Sequence, residues 1–244
     1  MKIICVIPAR YGSTRFPGKP LANICGRPML WWVWEKAKKA GVFERVIIAT
    51  DDKRIFSAAK GLGAEVMLTS AGCKSGTDRV AEVSQKIKPD IVVNLQGDEP
   101  LIAPSTILKT TQAIIQAQDA VVSTPVCYIS QKRHKEVSNL DTAKVVFDKN
   151  HYALYFSRLS IPATGDNGEK RSLGFYKHIG LYAYRADFLK DFVKMKQSSL
   201  EKREKLEQLR ILENGYKIKI VEVKQDTIPV DRPSDIRKVE RALK

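Results

Sequence analysis

The sequence predicts an α/β domain built around a mainly parallel sheet, with a β-rich excursion in its second half. Short β-branched apolar runs alternate with amphipathic segments through the first half, which is the pattern of βα units around a parallel sheet. That rhythm changes after about residue 128, where strand-like runs follow one another across polar turns. No repeat or low-complexity linker divides the 244 residues, and 43% apolar content suffices for one buried core, so one compact unit is expected.

Taken in order, strands are expected at roughly 2 to 8, 45 to 50, 65 to 68, 90 to 95 and 120 to 127, each a short run rich in Ile and Val. Helices fall between them, near 28 to 40, 52 to 61, 77 to 87 and 104 to 117. Pro28 suits a first helical position and Gly41 a helix end. "GLGAEV" (61 to 66) lacks a third glycine and lies between a helix and a strand, so it reads as a helix C-cap and not as a dinucleotide loop. Beyond residue 128, "TAKVVFDKNHYALYFS" reads as two strands around a turn at Asp148 to Asn150, and "YKHIGLYAYR" as one further strand. "SSLEKREKLEQLRILENG" reads as a single helix opened by a capping box, Ser198 with Glu201, and closed by Gly215. A strand at 217 to 223 and a helix from Pro233 complete the chain.

Composition narrows the function. No stretch approaches the roughly 18 to 20 apolar residues of a membrane span, and the N-terminus lacks a signal-peptide pattern, so a cytoplasmic protein is expected. Cys5, Cys25, Cys73 and Cys127 are widely spaced with no histidine at ligand spacing, which argues against a zinc site or a disulfide framework. The formal charge of +15 favours anionic partners, although "EKAKK" (35 to 39) and "EKREKLEQLR" (201 to 210) read as solvated helix faces. A nucleic-acid-binding module would interleave basic residues with stacking aromatics; here Trp31, Trp32 and Trp34 gather in one helix, as packing residues do.

In open α/β sheets ligands bind beyond the carboxyl ends of the strands. Four loops lie there: the opening loop, "TDD" (50 to 52), "SAGCKSGTDR" (70 to 79) and "NLQGDEP" (94 to 100). The opening loop, Pro8 to Pro20, carries Arg10, Arg15 and Lys19 with Gly12 and Gly18, a set that can grip phosphate through bidentate arginines and close backbone approach. It is not a Walker A loop, because Pro20 stands where Ser or Thr would follow the lysine. "QGDEP" sets Gln96, Asp98 and Glu99 at a strand end, where Asp98 could hold Mg2+ alongside substrate phosphates. His134 and His151 sit in charged surroundings. "YKHIGLYAY" instead puts Tyr176, His178, Gly180, Tyr182 and Tyr184 on one strand face, a polar floor suited to a sugar-like ligand.

Collinear over nearly the whole chain, "PARYGSTRFPGKPL", "ATDD", "SGTDRVAEV", "VNLQGDEPLI", "ALYFSR", "YKHIGLYAYR", "LEQLRILENG" and "VDRPSDI" resemble the 3-deoxy-manno-octulosonate (Kdo) cytidylyltransferase family. The resemblance implies a single-domain, Rossmann-like nucleotidyltransferase fold, cytosolic and homodimeric. Residues 1–128 would mainly bind CTP, and 129–244 would mainly bind sugar and form the dimer. It implies the Mg2+-dependent reaction of CTP with Kdo to give CMP-Kdo and pyrophosphate, a step of lipopolysaccharide assembly. It assigns Arg10, Ser13, Arg15, Lys19, Ser75, Gly76 and Arg79 to the nucleotide, and Gln96, Arg158, His178, Tyr182, Glu207 and Gln208 to the sugar. Asp98 and Asp231 are assigned to the metal and, with Arg15 and Lys19, to catalysis. Arg232 stands where the family pattern has a small hydroxyl residue, leaving Kdo, its 8-amino counterpart and a sialic-acid-like ulosonic acid as alternative substrates.

Overall fold

The computed structural model describes residues 1–130, 134–163 and 174–243. Its elements begin with β1 (Ile3–Pro8), a 3-10 turn (Lys19–Leu21), β2 (Asn23–Ile24), β3 (Arg27–Pro28), α1 (Met29–Lys39), β4 (Arg45–Thr50), α2 (Lys53–Gly61) and β5 (Glu65–Leu68). Next come α3 (Gly76–Ile87), β6 (Ile91–Leu95), α4 (Pro104–Gln116), β7 (Val122–Ile129), α5 (His134–Val137), β8 (Lys144–Phe147) and β9 (Ala153–Ser157). Last are β10 (Phe175–His178), β11 (Leu181–Arg185), α6 (Ala186–Phe192), α7 (Ser199–Glu204), α8 (Leu209–Glu213), β12 (Ile218–Val223) and α9 (Pro233–Leu243).

The main sheet runs β5-β4-β1-β6-β11-β7-β10-β8-β9, with β12 on β7. β5, β4, β1 and β6 pair in parallel, as do β7 and β12, while β11 enters between β6 and β7 antiparallel to both. β10, β8 and β9 form the expected excursion, all antiparallel. Strand alternation splits the core into two layers. Ile3, Cys5 and Ile7 of β1 pack with Leu30 and Val33 of α1, Ile55 of α2 and Ile107 of α4. Ile4 and Val6 point to the other face, against Val80 and Val83 of α3, Phe192 of α6 and Leu209 of α8.

Three sequence expectations need correction. "YKHIGLYAYR" is two strands: β10 pairs with β7 and β8, the chain bends at Ile179 and Gly180, and β11 crosses to β6. Gly180 leaves room there, because a Cβ would press within 3.2 Å of Gln96 Cγ and 3.4 Å of Glu99 Oε1. "SSLEKREKLEQLRILENG" is two helices, since Lys205 adopts a left-handed cap (φ 56°) after α7. The break lets Arg210 bond Glu201 at 2.6 and 2.7 Å, a pair that roughly 13.5 Å of axial rise would separate in a straight helix. Both residues are buried, so this run is not wholly the solvated face its charges suggest. Pro28, finally, precedes α1 as its N-cap instead of opening it.

The Ser198–Glu201 capping box forms as expected, and Gly63 (φ 77°) follows the end of α2. All four cysteines are free. Of the 161–175 segment, residues 164–173 lie outside the described residues, as does the side chain of His134. His151 faces Glu222 at 2.8 Å and stacks on Phe147.

Candidate active site

The opening loop is folded on itself. Gly18 takes a left-handed conformation (φ 70°) that lets its N–H donate to the Tyr11 carbonyl at 2.9 Å, and the Lys19–Leu21 turn follows at once. Gly18 also approaches the Tyr11 ring so closely that a Cβ would lie 3.1 Å from it, whereas Gly12 has open space around it. Phe16 anchors the loop in a separate apolar cluster with Ile24, Met29, Trp32 and Val239 of α9, so the C-terminal helix holds the loop in place.

The loop walls a cleft of about 390 Å³ beyond the ends of β1 and β6. Arg10, Ser13, Arg15, Lys19, Ser75, Gly76, Arg79, Gln96, Asp98 and Asp231 all line it, so every expected nucleotide and metal residue is there. The side chain of Ser75 caps α3, accepting from Asp78 N at 3.0 Å, which directs the first turn of α3 at the cleft. Arg79 is engaged elsewhere: its buried guanidinium contacts Asp51 at 3.2 Å and donates to Thr69. Asp52 of "TDD" caps α2 and pairs with Arg54.

Within the cleft the charged groups pair with one another. Lys19 Nζ donates to Asp98 Oδ2 at 2.7 Å and lies 3.7 Å from Asp231 Oδ1; Arg15 donates to Asp231 at 3.0 Å and lies 3.6 Å from Asp141. Among the described residues no group of three or more His, Cys, Asp or Glu could hold a metal ion by itself. Two carboxylates sharing one ammonium are nevertheless a site a small cation can enter, and two carboxylates completed by phosphate oxygens are the donor set that Mg2+ takes. The residues present fit such an ion.

A second chamber of about 210 Å³ adjoins the cleft, with Asp231 in both walls. Arg158, His178, Tyr182 and Gln208 line it, joined by Glu99, which the sequence placed only at the strand end beside Asp98, and by Asp141 and Lys177, which sequence reasoning missed. The bend at Gly180 explains the gathering. Four residues along a continuous strand span roughly 13 Å, yet the His178 and Tyr182 rings are 5.2 Å apart between centroids. Burial holds His178 well below its usual range, at about 3, and pushes the Tyr182 hydroxyl upward. Glu99 is raised to about 7 by burial and then by the neighbouring Asp98 charge.

Two expected sugar residues are placed differently. Gln96 lines the first cleft and donates to Asn94 at 3.2 Å; Asn94 donates to Thr77 at 3.4 Å, and Thr77 donates to Glu207 at 3.2 Å. Glu207 therefore ends a hydrogen-bonded chain beneath the site and is not among the residues lining the second chamber. Arg158 does line that chamber, but its guanidinium is bound by backbone: Nε donates to Glu204 O, and the terminal nitrogens to Leu140 O and Lys205 O. Lys144, fully buried, donates to the carbonyls of Asn139, Thr142 and Arg158. Together these two cations tie the 139–142 segment, which supplies Asp141 and Thr142 to the chamber, to the backbone at Glu204 and Lys205. A lysine inside the apolar run "TAKVVF" was the available signal for Lys144. Arg232 is exposed and lines neither chamber.

The arrangement therefore comprises a cationic cleft with two carboxylates beside a second, partly open chamber lined by charged and aromatic side chains. Comparisons with known proteins place the chain as a whole. A cytidylyltransferase family profile matches residues 4–220. A 3-deoxy-manno-octulosonate cytidylyltransferase of Syntrophus aciditrophicus is 42% identical over 99% of this chain and 97% of its own, and one of Aliivibrio fischeri is 47% identical over 100% and 99%. A solved structure of a CMP:2-keto-3-deoxy-manno-octonic acid synthetase complexed with CTP superposes with a TM-score of 0.92 at 40% identity, covering 100% of this chain and 98% of that one. A 4-diphosphocytidyl-2C-methyl-D-erythritol synthase from Anaerococcus prevotii, 13% identical over 99% of this chain and 98% of its own with a TM-score of 0.63, shares the fold alone. With the family profile over residues 4–220 and relatives 42% and 47% identical over 99% and 100% of its length, the chain belongs to the 3-deoxy-manno-octulosonate cytidylyltransferase family.

Proposed function

We propose that the two chambers hold CTP and Kdo on either side of Asp231, and that the protein joins them as CMP-Kdo with release of pyrophosphate. The observation that carries this reading is the contiguity of a cationic cleft of about 390 Å³ with a second chamber of about 210 Å³ through one shared carboxylate, Asp231. The anomeric hydroxyl attacks the α-phosphorus in line; a new O–P bond forms as the bond to pyrophosphate breaks, and the hydroxyl proton leaves to solvent. No side-chain nucleophile is required, so rate depends on positioning and on fixed charge. Lys19, Arg15 and Arg10 neutralise the phosphates, and the first turn of α3 offers backbone N–H groups. Asp98 and Asp231 would hold Mg2+, which supplies charge neutralisation and a lowered hydroxyl pKa when bound.

Further parts of the proposal are a homodimer, a cytoplasmic location and a role in lipopolysaccharide assembly. Support for the dimer is the edge strand β9 with exposed Leu154, flanked by exposed Leu140 and Leu159 in the second half of the chain. No helix among the described residues is long and apolar enough to cross a membrane. Division of labour between residues 1–128 and 129–244 is approximate, because Glu99 lines the second chamber and Asp231 the first.

Pyrophosphate release from CTP with Kdo, 8-amino-Kdo or a sialic acid, each with and without Mg2+, tests the reading. Turnover with CTP and Kdo only when Mg2+ is present is the expected result; no product from that pair would overturn it. Preference for 8-amino-Kdo would redirect the sugar assignment alone. Added nucleic acid should leave the rate unchanged.

A further inference from the structure

The chemistry of the second chamber depends on which ring nitrogen of His178 carries a proton, and Thr124 on β7 decides it. Thr124 Oγ1 lies 2.7 Å from the Leu181 carbonyl and 2.9 Å from His178 Nε2. A hydroxyl has one hydrogen, and a carbonyl can only accept. The hydrogen of Thr124 is therefore given to Leu181, and Nε2 must supply its own to the Thr124 oxygen. Burial keeps the ring neutral, so Nδ1 is left with a bare lone pair. Among the described residues no protein donor meets Nδ1, while the ring lines the chamber beside Tyr182.

We propose that Thr124 is a positioning residue that locks His178 with its proton on Nε2, so that Nδ1 accepts a hydrogen bond from a hydroxyl of the sugar acid. An acceptor-only nitrogen takes an O–H and repels a carboxylate oxygen. The sugar acid therefore enters with a hydroxyl, and not its carboxyl group, against His178. This rests on the assignment of the second chamber to the sugar.

Long-range 1H–15N correlation spectra of protein labelled at its three histidines separate the two questions. His178→Gln identifies the signal. The expected spectrum has a protonated Nε2 and an unprotonated Nδ1, and Nδ1 moves when Kdo is added with α,β-methylene-CTP, whose bridge cannot be broken. A protonated Nδ1 in the free protein would overturn the tautomer while leaving the chamber assignment intact. The expected tautomer with an Nδ1 signal indifferent to saturating Kdo would overturn the contact, and if no chamber residue's signal moved, the chamber assignment with it. In kinetics, Thr124→Val should raise KM for Kdo about tenfold with KM for CTP changed by less than about twofold, the scale of one neutral hydrogen bond. Thr124→Ser, which keeps the hydroxyl, should restore KM for Kdo. An unchanged KM for Kdo in a folded Thr124→Val protein would refute the positioning role, and the spectra of the unaltered protein decide the tautomer if that variant does not fold.

Discussion

Glu207→Gln is expected to stabilise the protein above neutral pH and to leave its stability unchanged in mild acid. Glu207 ends the chain from Gln96 through Asn94 and Thr77, and burial raises its carboxyl from 4.5 to about 7, against a smaller opposing pull from Arg210. The folded state thus binds this proton more tightly than the unfolded chain does. Between about pH 4.5 and 7 the unfolded chain has already lost the proton, so stability falls as pH rises through that window, and the whole cost is present above it. At roughly 1.4 kcal/mol per tenfold change in proton affinity, the cost reaches up to about 3 kcal/mol. Glutamine keeps an acceptor for Thr77 and cannot ionise. Urea denaturation of both proteins at about pH 4.5, 6 and 8 should show a gap that opens with pH, and melting temperatures should separate by up to about 10 °C at the alkaline end. A gap constant within about 0.5 kcal/mol across the series would refute the reasoning, because an uncharged effect of the substitution does not titrate.

Asp98→Asn should abolish pyrophosphate release while the ligand-free melting temperature stays within a few degrees, since its partly exposed pair with Lys19 is worth only about 1 kcal/mol; retained turnover would exclude Asp98 as an essential residue. Lys144→Met leaves the carbonyls of Asn139, Thr142 and Arg158 without their donor, so urea melts should show a loss above about 2 kcal/mol and steady-state kinetics a higher KM for Kdo than for CTP. Arg210→Met strands the buried Glu201 and is expected to cost about 3 to 5 kcal/mol, read as an earlier urea midpoint; a pair worth less than about 1 kcal/mol would mean that Glu201 finds water.

The parallel half of the fold was legible because its signals are local. Ile- and Val-rich runs bounded by capping residues mark β1, β4 and β6, and each loop that follows a strand can be read for charge before any contact is known. The cleft was legible for the same reason, since its phosphate grip is contiguous in sequence from Arg10 to Lys19. The second chamber was legible only in part, through the floor residues His178, Gly180 and Tyr182. It depends on a bend at Gly180 that looks like ordinary strand alternation, and on a break at Lys205 where neither glycine nor proline stands. That break is stabilised by distant partners: Arg158 bonds the carbonyls of Glu204 and Lys205, and Arg210 reaches back to Glu201. Resemblance supplied Arg158 and Glu207 as sugar residues, and their partners place much of their hydrogen bonding in the frame of the site.

Lys19 and Arg15 pair with the carboxylates of Asp98 and Asp231, so nucleotide binding as proposed would be an exchange of partners. A triphosphate that draws both cations to itself would leave two bare carboxylates beside a polyanion, an arrangement that Coulomb repulsion disfavours. Relief requires another positive charge to arrive with the nucleotide. Lys19 is thus the counter-ion of both carboxylates, and on the proposed reading the Mg2+ held by Asp98 and Asp231 would take over that role as Lys19 turns to the phosphates.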